Sequence, residues 1–473
     1  MLPVFEKTIE QVKAECKVAG GAFTAIRNGE VVVREVFGTA DIETGRPITE
    51  ESIFDLASDT KCMTTSVISQ LCEEGKCAWE DPVRKFIPDF FLADEYVSSH
   101  LTLKDCASHR SGICSQNMIR RTPDSDFPTR KSFVDRLKYF TLAKEFRDSF
   151  MYQNELYALL GYITELIEGK PWEECVLERI ARPLGIEMAF RGIPDEGHKD
   201  VAYPHLTDGK TIWKTKHNSF WLNNPCGGAR SNLLGFEKWL RVWTNGGRFP
   251  DGSDFVSRKM YQKMTTPISF WSGGGVIDCN RNYALGLAPS VYRGRKLVYH
   301  GGSITGFRSA MGFFPGLNSG YCIMINSGSQ PLSVLKLLLC DAALGELKDD
   351  YSENVRTHLD SFYAPPAIIS KLPPEQTISE EEKLRFFGTW YNGAYRNLSI
   401  TPGEGNALRL KYYAAEGDVE FRGISPEGEY LFKSYNTDIG GFLTDLRFSP
   451  DGRNAKMSFS EYFTPNPFVK TES

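Results

Sequence analysis

The chain has 473 residues, 41% of them hydrophobic and 24% charged, which suits a globular protein with one large domain and a smaller one. Its formal net charge of -5 argues against nucleic acid or an anionic membrane as partner. No run approaches the ~18 apolar residues of a membrane helix, and the eleven cysteines show neither CxxC nor zinc spacing. They read as reduced core thiols of a cytosolic protein. Residues Met1 to Lys7 do not open a signal peptide, because charge arrives before any apolar core.

In chain order, Phe5 to Cys16 reads as a short amphipathic helix. Ala22 to Ile26 and Val31 to Phe37 form a hairpin turned at Asn28-Gly29. Met63, Val67, Ile68 and Leu71 recur at helical spacing after Ser58, and Gly75 ends that helix. Thr102 caps a short helix that runs into the loop His109-Arg-Ser-Gly112. A long helix follows Phe150, with Leu156, Leu159, Leu160 and Ile163 on its buried face and Gly169 at its end. Pro171 is expected at the first position of the next helix. A Gly-rich turn at Gly227-Gly228 leads to a helix around Trp239. Strands are expected at Tyr283 to Pro289, Leu297 to Tyr299, Ala310 to Phe314 and Tyr321 to Ile325, then a helix from Leu332 to Leu344. The order predicts an α+β fold: an antiparallel sheet built from both ends of the domain, flanked by helices, with a helical subdomain inserted.

Residues 1–362 form this domain and a Pro-rich linker spans 363–380. Residues 381–473 change to short strands between Gly, Asn and Pro turns, the pattern of an antiparallel β-barrel or sandwich.

Three polar elements carry the chemistry. In Ser58-x-x-Lys61 the two side chains share a helix face, so a lysine stands one turn from a hydroxyl at a helix start. That suits an activated nucleophile. Tyr152-x-Asn154 opens a helix, and His300-Gly301-Gly302 lies at a strand. A second Ser-x-x-Lys, Ser333 to Lys336, falls after the last strand and reads as a helix start with a surface lysine. Three features read as structural: the glycines at 273–275, the Arg120-Arg121 pair, and His198, His205 and His217, which lack metal spacing.

With His109-Arg-Ser-Gly112, the Gly227 turn and Gly302-Ser-Ile-Thr-Gly-Phe307, these elements resemble the serine β-lactamase-like superfamily over residues 5 to 345. The resemblance is to its class C-like branch of penicillin-binding-protein-like esterases, D-aminopeptidases and transacylases. It implies a β-lactamase/transpeptidase-like domain followed by a lipocalin-like barrel. It implies that Ser58 attacks an acyl carbonyl and that Lys61 and Tyr152 share its proton. A tyrosine is a poor base at its ordinary pKa near ~10, so it needs a neighbouring cation. The backbone N–H groups of Ser58 and Ser303 would form the oxyanion hole. Asn154 would hold Lys61 or a substrate amide, and His300, Gly301 and Gly302 would border the substrate. The activity implied is a serine hydrolase or acyltransferase acting on a small-molecule ester, thioester or amide, with no metal and no cofactor. The oligomeric state stays open. The alternatives are a D-amino-acid peptidase or β-lactamase-type amide hydrolase, and a non-catalytic ligand-binding relative. His300 replaces the lysine of the family's Lys-Thr-Gly, which predicts a preference for uncharged substrates, with Arg308 the candidate cation should acids be favoured instead.

Overall fold

The computed structural model describes residues 2–113, 129–192, 200–207, 209–217, 221–271, 281–328, 331–363, 377–393, 395–412, 415–434, 444–458 and 467–471. Most of the expected linker lies outside the described residues, as do 273–275, 120–121 and His198.

Helix α1 (Pro3–Cys16) leads into the hairpin β1 (Gly20–Arg27) and β2 (Glu30–Asp41). Asn28 and Gly29 turn it, with φ of 53° and 87°, as a tight hairpin turn requires. The short β3 (Arg46–Pro47) follows. The sheet is completed from the far end of the domain by β4 (Ala288–Tyr292), β5 (Arg295–Ile304), β6 (Phe307–Phe314) and β7 (Ser319–Ile325), in the order β4-β5-β6-β7-β1-β2-β3. The two ends meet where β1 pairs antiparallel with β7, Phe23 opposite Ile323. This is the two-ended sheet expected from the element order.

Both faces of the sheet are covered. On one, Phe5, Ile9 and Val12 of α1 and Val334, Leu335 and Leu338 of α5 (Leu332–Leu344) pack on Phe23 and Ile323. Phe5 stacks on Phe23 at 5.6 Å, an arrangement worth ~0.5–1.5 kcal/mol beyond the area buried. On the other face, α2 (Thr60–Glu73) and α4 (Leu233–Thr244) supply Met63, Val67, Trp239 and Trp243. Trp243 stacks on Phe313 at 5.8 Å. The inserted helical region holds α3 (Glu155–Glu168), which buries Leu156, Leu159, Leu160 and Ile163 as the spacing predicts.

Details differ from the sequence reading. Pro171 caps its helix in an extended conformation (φ -55°, ψ 145°) instead of opening it. The strand expected from Tyr283 to Pro289 is broken at Gly286, whose φ is 74°. Arg281–Tyr283 pairs with Ser269–Trp271, and β4 starts only at Ala288. Strand β5 runs on past Tyr299 to Ile304, because β6 pairs with it through Ile304 and Phe307. The helix Ser352–Tyr363 was not anticipated.

The C-terminal region is a closed antiparallel barrel of eight strands, not a sandwich. They are β8 (Gly388–Asn392), β9 (Arg396–Pro402), β10 (Ala407–Tyr412), β11 (Ala415–Ile424), β12 (Tyr430–Ser434), β13 (Thr444–Phe448), β14 (Asn454–Ser458) and β15 (Phe468–Lys470). Trp390, Leu398, Leu410, Tyr412, Phe432, Phe448 and Met457 are all buried. An interior of this strand number is filled by such side chains. The barrel rests on the first domain where Tyr395 stacks on Phe140 at 6.5 Å. No helix among the described residues is long and apolar enough to cross a membrane.

Candidate active site

Ser58 sits in a short 3-10 turn, Ala57–Asp59, that feeds directly into α2. Ala57 has φ 45°, a left-handed conformation that costs a side-chain-bearing residue ~1–2 kcal/mol. Tertiary packing holds it there. A Cβ on Gly302 of β5 would lie 2.3 Å from the Leu56 oxygen and 3.1 Å from Ala57 Cβ. Gly302 therefore lets the strand close on the serine turn. A Cβ on Gly301 would meet only the Ser309 oxygen, at 3.6 Å, so Gly301 is the position that leaves room beside the cavity.

Behind the turn, Ser309 Oγ donates to the Leu56 carbonyl at 2.7 Å and also contacts Asp59 Oδ2. A hydroxyl has one proton and a carbonyl can only accept. The one Ser309 proton thus faces two acceptors, the Leu56 carbonyl and Asp59 Oδ2, and a neutral Asp59 carboxyl would relieve that shortage. Burial, set against the Ser309 contact and the more distant Lys336 and Lys61, pushes Asp59 up to about 8.

Lys61 is fully buried. Its Nζ lies 3.1 Å from Ser58 Oγ, 2.8 Å from Asn154 Oδ1 and 2.7 Å from the Cys226 carbonyl oxygen. Asn154 is thus a lysine holder, the first of its two expected roles. The same three contacts serve both protonation states. An ammonium donates to all three oxygens. A neutral amine donates to Asn154 and Cys226 and turns its lone pair to the Ser58 hydroxyl. A proton can leave or reach Ser58 Oγ without moving a heavy atom.

Tyr152 faces the same nitrogen, which lies 4.8 Å from its ring centre. Its placement comes from His109. The His109 carbonyl accepts from Met151 N at 2.7 Å, and its Nδ1 accepts from Gln153 N at 3.0 Å. The two bonds clamp the chain on either side of Tyr152, and the His109 ring packs 4.3 Å from the tyrosine ring. His109 is buried, and desolvation with the nearby Lys61 holds it well below the ordinary histidine range. It stays a neutral acceptor.

His300 is 4% exposed, and burial followed by the field of Lys61 lowers its pKa to about 3. Its Nδ1 lies 2.9 Å from the Gly301 carbonyl and its Nε2 2.8 Å from Tyr283 Oη. The carbonyl can only accept, so Nδ1 carries the proton and Nε2 accepts from the tyrosine. Both nitrogens are thereby occupied. His300 shapes the wall but offers the substrate neither a positive charge nor a hydrogen bond. Arg308 is no substitute, since it donates to the carbonyls of Ile304, Phe307 and Gly328.

A cavity of about 390 Å³ opens in front of Ser58, walled by Tyr152, Trp271, Tyr299 and Ser303. Two cations reach it. Arg281 lies over the Trp271 ring at 5.3 Å, and Lys336 of α5 over the Tyr299 ring at 5.0 Å. A recess of about 20 Å³ lies between Ser58, Asn154, Cys226 and Ser303, the size of one oxygen with its hydrogens. Strand β4 begins at Ala288 opposite Tyr299 and pairs from there back to Arg295. Among the described residues, the edge of β5 from His300 to Ile304 therefore has no strand beside it.

The Beta-lactamase family profile matches residues 5–338. The chain belongs to this family. It is 24% identical over 410 residues to unguisins hydrolase ungD' of Aspergillus campestris, covering 80% of this chain and 74% of that one. It is 24% identical over 279 residues to penicillin-binding protein 4 of Amycolatopsis lactamdurans, covering 57% and 71%. The octameric penicillin-binding protein homologue from Pyrococcus abyssi superposes with a TM-score of 0.65 at 22% identity, over 98% of this chain and 99% of that one. A class C β-lactamase from Rhodobacter sphaeroides gives 0.58 at 18% identity, over 72% and 98%. These likenesses establish a β-lactamase/penicillin-binding-protein fold followed by the barrel.

Within this fold, Ser58, Lys61, Tyr152, Asn154, Gly301, Gly302 and Ser303 lie close together, while His300 turns inward. The sequence reading missed His109 as a clamp, the Cys226 carbonyl, Tyr283, Arg281 and Lys336. The His-x-Ser-Gly motif signalled the first. In the sequence Lys336 reads as a surface lysine. Its place in the cavity follows from where α5 crosses the sheet.

Proposed function

We propose that the chain is a serine hydrolase or acyltransferase that forms an acyl ester on Ser58. The observation that carries this reading is the buried Lys61, 3.1 Å from Ser58 Oγ and able to hold that contact in either protonation state. Ser58 Oγ attacks the acyl carbonyl and loses its proton to the Lys61–Tyr152 pair. The developing oxyanion enters the recess by Ser303, where backbone N–H groups of Ser58 and Ser303 stabilise it. Tyr152 then protonates the leaving group, and water or another nucleophile releases the acyl group by the reverse sequence.

Arg281 and Lys336 favour substrates with a carboxylate or other anion, the opposite of the preference read from His300. The open edge of β5 suits an extended peptide-like chain, which would pair as an added strand. Amide or D-peptide hydrolysis therefore stands beside ester and thioester turnover. Labelling with a fluorophosphonate, followed by a panel of acyl esters, thioesters and D-peptides with and without amine acceptors, tests the proposal. Absence of label on Ser58 together with absence of turnover would leave a ligand-binding protein.

A further inference from the structure

Cys72 and Cys77 stand outside the site just described. Cys72 lies in the last turn of α2 and is partly exposed, and Cys77 follows the turn at Gly75. Gly75 has φ 74°, and Lys76 N bonds back to the Leu71 carbonyl. This reversal sets the two sulfurs 3.4 Å apart. A disulfide bond is ~2.05 Å long, so closing it needs ~1.4 Å of approach shared between two side chains at a surface turn. Cys77 is buried, as are the remaining described cysteines, so Cys72 is the more accessible of the pair.

We propose that Cys72 and Cys77 form a reversible dithiol–disulfide site oxidised by hydroperoxides. The contact with Cys72 holds Cys77 below the usual thiol range, with Lys85 helping and burial, Asp81 and Glu74 opposing. The same contact pushes Cys72 up. Cys77 is accordingly the attacking thiolate. Its sulfur takes one oxygen of the peroxide, the O–O bond breaks, and a sulfenic acid and a hydroxide result. Cys72 Sγ then attacks Cys77 Sγ and expels a second hydroxide. The two thiol protons go to the two hydroxides. In sum, two thiols lose two electrons and hydrogen peroxide is reduced to two waters. The bond would staple the end of the helix whose first turn carries Lys61.

The test treats the full chain with hydrogen peroxide, alkylates the remaining thiols and digests with trypsin. Cleavage after Lys61, Lys76 and Arg84 puts the two cysteines on separate peptides. The proposal expects those peptides to be joined, lighter by two hydrogens, and released by dithiothreitol. It expects no joined species in Cys72→Ser or in Cys77→Ser, and a higher denaturant midpoint for the oxidised wild-type chain than for the reduced one. Recovery of both peptides in alkylated form, at peroxide doses that oxidise methionine elsewhere in the chain, would overturn it. So would a sulfinic acid on Cys72 beside an alkylated Cys77.

Discussion

The chain carries Ser-x-x-Lys twice, at 58–61 and 333–336, and the two copies show what makes a motif a site. Ser58 lies in a 3-10 turn before its helix, behind an alanine with φ 45°. Ser333 is the second residue of the regular helix α5, which no side chain caps. Lys61 is sealed among three oxygens, one of them the serine's. Lys336 points into the same cavity and lies over the Tyr299 ring. The two segments share their serine and their lysine. What separates them is a strained backbone, a glycine strand pressed against it, and acceptors donated from residues 154 and 226. Spacing on a helix gives a serine and a lysine a common face, but only tertiary contacts bury that lysine within hydrogen-bond distance of the hydroxyl.

The sharpest way to break this comparison is to remove each serine. Ser58→Ala should lose ~10⁴–10⁶ of kcat, as removal of a nucleophile does. Ser333→Ala should leave turnover near wild type. The opposite pattern would invert the assignment. Next in size, Tyr152→Phe should lower kcat by ~10²–10⁴ through loss of acid–base help. KM should change little, because the ring and its packing on His109 remain.

Part of this was visible in the sequence. Ser58, Lys61, Tyr152 and Asn154 stand in motifs whose order identifies the family, and the strands β1, β6 and β7 are long apolar runs. The remainder depends on contacts distant in the chain. His109 fixes Tyr152 from about forty positions away, through bonds to Met151 and Gln153. The extension of β5 through two glycines reads as a loop until β6 is known to pair with it. His300 reads as a substrate contact until Tyr283 Oη is found on its second nitrogen. In the barrel, β8, β14 and β15 are short and carry few apolar residues, and only closure of the ring shows them to be strands.

The two lysines can also be compared by charge. Lys336→Met should reduce kcat/KM for a substrate with a free carboxylate by ~10–100-fold, the value of a lost charge-assisted hydrogen bond. The matched methyl ester should be little affected. Equal losses for acid and ester would mean that Lys336 supports the wall instead of reading charge.

The smallest effect concerns stability. Asp59 is neutral when folded, with its pKa raised to about 8, and ionises near ~3.9 when unfolded. Between those values the native state binds the extra proton. The contribution of Asp59 is therefore complete at acid pH and is lost as pH rises towards 8. Asp59→Asn should flatten the decline in denaturant midpoint between pH 5 and pH 8, while the wild-type curve falls. A wild-type midpoint that rises across the window would show Asp59 ionised in the folded chain.

The open edge of β5 has a further consequence for how the protein behaves in company. A strand edge with no strand beside it among the described residues is ordinarily an invitation to other chains, and proteins shield such edges with charge, bulk or covering segments. From His300 to Ile304 the edge is sunk beside a cavity walled by Tyr152 and Trp271, with Arg281 and Lys336 at its sides. Of its acceptors, the Gly301 carbonyl already holds His300 Nδ1, so only part of this edge is left for another chain to pair with.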